Sequence, residues 1–77
     1  MNNPIEEIKI EQNWTISEFA IACNISFSTT NRLLTGEQQS IAQSVLDTLE
    51  ILGYDANDLK ENYQDFREQK RRKLLQS

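Results

Sequence analysis

The stretch Trp14-Thr15-Ile16-Ser17-Glu18-Phe19-Ala20-Ile21-Ala22-Cys23-Asn24-Ile25-Ser26-Phe27-Ser28-Thr29-Thr30-Asn31-Arg32-Leu33-Leu34-Thr35-Gly36 decides the fold. Thr15 with Glu18 three residues later is a capping box, in which each side chain satisfies an amide that the first helical turn leaves unpaired. The helix it starts is predicted to run through Phe19 and Ala20 to about Cys23. Asn24 tolerates left-handed backbone better than most residues, so a tight turn is expected there. Ser26 then caps a second helix that runs to Leu34 or Thr35 and stops at Gly36. Two short helices joined by a turn of a few residues make a helix-turn-helix.

Working outward, Pro4 suits a first helical turn because its missing N–H is no loss there. Ile5 and Ile8 follow at helical spacing, Glu6 and Glu7 sit near the positive end of the dipole, and Asn13 reads as the stop. Downstream, Ser40 is the expected cap of a fourth helix whose Ile41, Val45, Leu46, Leu49 and Leu52 form one apolar stripe ending at Gly53. Asp55 caps a fifth, in which Leu59, Tyr63 and Phe66 continue the stripe; Tyr63 and Phe66 fold back on the domain or form a dimer seam. Beyond Phe66 the pattern fades into Lys70-Arg71-Arg72-Lys73, read as a fraying helical end whose charges suit the dipole. No strand pattern or repeat appears. The expected fold is therefore all-α, with five helices: a helix-turn-helix domain over 4–59 and a basic helical extension over 60–77.

A chain of 77 residues has little room for both a core and a buried catalytic pocket. It contains no His, a single Cys and two Gly, and its carboxylates are scattered, so neither general acid–base pairs nor metal-ligand spacing is visible. No enzyme activity, metal or cofactor is expected. Cys23 lies in an apolar run and reads as a small core residue. No segment has the length of a membrane span, and the polar start is unlike a signal peptide, so a cytoplasmic protein is expected. Charge is uneven. Residues 1–59 carry two basic groups (Lys9, Arg32) against nine acidic ones, whereas residues 60–77 carry six basic against three acidic.

On the helix after the turn, Thr30, Leu33 and Leu34 fall inward. Phe27, Ser28, Asn31, Arg32 and Thr35 share an outer face spanning roughly 140° at 100° per residue. That face offers a guanidinium, an amide and hydroxyls, the groups that read base edges and hold phosphates in a major groove. Over residues 5–59 the chain resembles the Xre/Cro-type, lambda repressor-like helix-turn-helix family of phage and bacterial regulators. Trp14–Ala20 is similar to that family's "LTQEELA", Ile25–Leu33 to its "VSRSTISRI", and Leu52-Gly53-Tyr54-Asp55 with Leu59 to its "LGVSLDEL"; Gly36 falls on the family glycine. The resemblance implies a homodimer on double-stranded DNA, a repressor-like regulator with its third helix in the major groove. By position, Phe27, Ser28 and Arg32 would face bases with Asn31 beside them, and Lys9, Thr15, Ser17 and Thr35 would lie near phosphates.

The chain departs from that pattern in places. Ile16 stands where the family has a phosphate-holding polar residue, and Leu34 replaces a Glu that would pair with Lys9, leaving Lys9 available to a phosphate. Ile10, Ile21 and Ala22 occupy ordinarily charged positions and, with Phe27, suggest an exposed apolar patch. A protein-interaction module or antirepressor that keeps the fold but binds another regulator through Ile10, Ile21 and Phe27 is thus the alternative. Trp14 is expected to be a core anchor between the first two helices.

Overall fold

Helix starts and stops follow the local chemistry of the chain almost throughout. In a computed structural model, which describes residues 2–76, the chain forms five α-helices and, among the described residues, no strand. They are α1 (Pro4–Glu11), α2 (Ile16–Cys23), α3 (Phe27–Thr35), α4 (Gln43–Ile51) and α5 (Ala56–Gln76). At the head of α2 the capping box is closed from both sides: the Glu18 amide donates to Thr15 Oγ1 at 3.1 Å and the Thr15 amide to Glu18 Oε1 at 2.8 Å. Asn24 ends α2 with left-handed backbone at φ 55°, ψ 47°. Ser26 caps α3 by accepting from the Thr29 amide at 3.0 Å, and Gly36 terminates it at φ 86°. Asp55 caps α5 through the Asp58 amide at 3.0 Å.

α4 departs from expectation. Its N-cap is Ala42, not Ser40, and no side chain caps it. Ser40 is exposed, whereas Ile41 is buried and Ala42 packs against the core. Anchoring Ile41 in the interior is worth about 1.5–3 kcal/mol and outweighs a surface cap worth about 1 kcal/mol. The helix therefore starts two residues later, and the Ala42 carbonyl opens it by accepting from the Val45 and Leu46 amides. At the other end Leu52 lies beyond the last turn and is 43 % exposed, so the buried stripe of α4 stops at Leu49.

All five helices contribute to one core, with Ile5, Phe19, Cys23, Leu33, Val45, Leu49 and Tyr63 fully enclosed. Trp14 packs against this cluster, its ring edge-on to Phe19 at a centroid distance of 6.0 Å. α5 does not fray after Phe66; it runs on to Gln76. Tyr63 belongs to the chain's own core, and Phe66 is half-buried against Gly36, where an added Cβ would come within 2.9 Å of its ring. Residues 60–76 thus continue α5, whose buried Leu59 and Tyr63 belong to the core.

Candidate nucleic-acid interface

α3 divides into two faces as its spacing requires. Thr30 and Leu33 are fully buried, and the Thr30 hydroxyl is satisfied by donating to the Ser26 carbonyl at 3.0 Å. On the opposite side Phe27, Ser28, Arg32 and Thr35 are exposed and Asn31 is half-buried. These five are therefore brought together on one helix surface. Arg32 is not a loose side chain. Its Nε donates to Gln38 Oε1 at 3.2 Å and one terminal nitrogen to Thr29 Oγ1 at 3.4 Å. Two of the guanidinium's five N–H groups are so occupied, leaving donors for an end-on pair. The Thr35 hydroxyl is turned back on the helix end, donating to the Arg32 carbonyl at 3.2 Å.

The remaining predicted residues are distributed differently. Thr15 and Ser17 are exposed at the start of α2; in the cap the Thr15 hydroxyl oxygen accepts from the Glu18 amide, a bond that does not use its own O–H. Ser17, Ala20, Ile21, Asn24, Ile25 and Phe27 line one shallow concavity where α2 meets α3. Ile21 is 80 % and Phe27 53 % exposed there. Ile10, though also exposed, is not part of this concavity. Lys9 lies 3.6 Å from the Glu6 carboxylate, and its side chain is 16 % exposed.

What the spacing argument missed is how firmly the C-terminal end of α3 is held. The last carbonyls of a helix have no partner within it. Here each finds one from elsewhere. The Gln38 amide donates to Arg32 O, and Asn3 Nδ2 donates to Leu33 O at 2.8 Å and to Leu34 O at 3.1 Å. Lys70 Nζ donates to Thr35 O, and Arg67 Nε to Gly36 O at 2.9 Å. Tyr63 and Gln64 extend the same clamp into the following loop, to Gln38 O at 2.8 Å and Gln39 O at 2.7 Å. Tyr63, Arg67 and Lys70 recur at i, i+4 and i+7, a spacing that would reveal the stripe if polar residues were counted in it.

Lys70, which the sequence places in a fraying helical end, and Arg67 therefore both serve the negative end of the α3 dipole. Arg71 and Arg72 both lie beside Glu68, at 3.6 and 3.3 Å, in exposed pairs of little energetic weight. The basic half of α5 thereby stands next to the end of α3. Burial pushes the Cys23 thiol up to about 11, which suits an inert core group. Burial also raises the Tyr63 phenol, against the opposing effect of Arg67. Among the described residues no cluster of His, Cys, Asp and Glu could hold a metal ion, and no helix is long and apolar enough to cross a membrane. No protein-family model, curated protein or solved structure matches the chain.

Proposed function

We propose that this protein is a sequence-specific DNA-binding regulator of the Xre/Cro helix-turn-helix type, without enzymatic activity and acting in the cytoplasm as a homodimer, with α3 entering the major groove. The observation that carries the reading is the composition of the outer face of α3. Arg32, Ser28 and Asn31 stand outward on a helix that is pinned at both ends, while its other side is sealed in the core. In this reading Arg32 reads guanine through its free donors, Phe27 presses on a thymine methyl, and Ser28 and Asn31 meet neighbouring base edges. The basic half of α5 supplies the cations that the first 59 residues lack.

The test is selection of duplexes from a random pool at low and at physiological salt, with Arg32→Ala as comparison. A palindromic site is expected to enrich, and Arg32→Ala should lose preference at one base step per half-site, each worth about 1–3 kcal/mol. Failure to enrich any sequence even at low salt would overturn the proposal.

A second reading rests on the concavity at the α2–α3 junction. Ile21 and Phe27 leave apolar surface exposed side by side, which suits a protein partner. Ile21→Asp separates the two readings: it should abolish binding to a protein partner and leave base preference intact.

A further inference from the structure

We infer that Gln38 is the positioning residue of Arg32, holding the guanidinium in a preset orientation before any ligand arrives. Three bonds converge on this one loop residue. Its amide donates to the Arg32 carbonyl at 3.1 Å, which fixes it over the end of α3. Its own carbonyl accepts from the fully buried Tyr63 at 2.8 Å, which ties it to α5. With its backbone held from both sides, its side-chain oxygen is placed to accept from Arg32 Nε at 3.2 Å. Thr29 receives a terminal nitrogen of the same guanidinium at 3.4 Å, and its own hydroxyl accepts from Ser26 Oγ at 2.9 Å.

The consequence is a reader whose rotamer freedom is spent before binding. An exposed Arg loses side-chain entropy when it meets a base, and ordering it beforehand removes part of that cost. Holding it at Nε leaves the terminal nitrogens able to present the two donors that match guanine O6 and N7. Gln38 touches no base in this scheme; it acts through Arg32. Its consequence for base preference rests on the DNA-reading proposal, whereas the contact itself does not.

The experiment uses the whole chain in two arms. In the first, without DNA, the Arg32 Nε–H resonance is identified by its loss in Arg32→Lys, and its exchange with water is measured. Gln38→Ala should speed that exchange several-fold, and Gln38→Glu, which keeps an acceptor, should not. In the second, duplex selection with Gln38→Ala should weaken preference by roughly tenfold at the base step that depends on Arg32, with the salt dependence of binding and the helix content unchanged. Gln38→Glu should restore that preference. Unchanged Nε–H exchange in Gln38→Ala, or full preference at that step, would overturn the inference. Gln38-dependent exchange in a protein that selects no sequence would uphold the positioning and defeat the DNA reading alone.

Discussion

At Asn3 a single buried amide closes three backbone groups. Its Oδ1 accepts from the Ile5 amide at 2.9 Å and caps α1, while its Nδ2 serves the carbonyls of Leu33 and Leu34 thirty residues away. Replacing it removes a helix cap, worth about 1 kcal/mol, and leaves buried carbonyls short of a donor, at about 1–3 kcal/mol. Asn3→Ala is therefore expected to lose about 2–4 kcal/mol in urea unfolding. Asn3→Asp keeps the cap acceptor but sets a carboxylate against two carbonyls, so it should recover little of that loss. A variant as stable as the wild type would mean that the α1–α3 tie contributes nothing. The cap bond of Asn3 to Ile5 lies within reach of a local signal before Pro4, but its larger task, the contact with α3, does not.

Among the helices, α4 shows what remains when tertiary burial overrides a local start signal. Its N-cap Ala42 has extended backbone at φ −61° and ψ 146°, the conformation a capping residue adopts, without the side-chain oxygen. Ser is small enough to stand in the half-buried position of Ala42, and Ser in place of Ala at an N-cap gains about 0.5–2 kcal/mol. Ala42→Ser should stabilise the domain at the lower end of that range, raising Tm by about 4–8 °C per kcal/mol, measured by thermal melting followed by circular dichroism. No change in Tm would show that the new hydroxyl faces the core instead of the helix start. α2, α3 and α5 were legible because Thr15, Ser26 and Asp55 cap helices whose buried stripes begin just after them. At α4 the stripe and the cap disagree by two residues, and the stripe wins. The outer face of α3 was legible from spacing alone. The bonds that immobilise it were not, since Arg67, Lys70 and Tyr63 reach carbonyls at least 25 residues away.

Across the whole molecule, stability and charge are coupled through α5. Its buried half closes the core with Leu59 and Tyr63, and its basic half extends beyond Phe66 beside the end of α3. An acidic body with most of its basic residues toward one helical end is read from the sequence, but where that end lies relative to α3 depends on the clamp. The two buried acids of the core, Cys23 and Tyr63, make the alkaline limb of stability a global measurement. Both hold their protons more tightly when folded, because burial penalises the thiolate and the phenolate. With a folded pKa above the unfolded one, the folded state binds more protons in the window between them, so stability falls as pH rises. For Cys23 that window opens near 9 and closes at about 11. Stability should therefore fall between pH 9 and 11 by up to about 2 kcal/mol from Cys23, with Tyr63 adding loss in the same direction at the upper end. Urea unfolding at stepped pH checks this, with Cys23→Ala as comparison. That variant starts lower, because it forfeits packing in a fully enclosed site, but its stability should decline less steeply over the same interval. Parallel curves for the two proteins would mean that the thiol gains access to water well before the fold is lost.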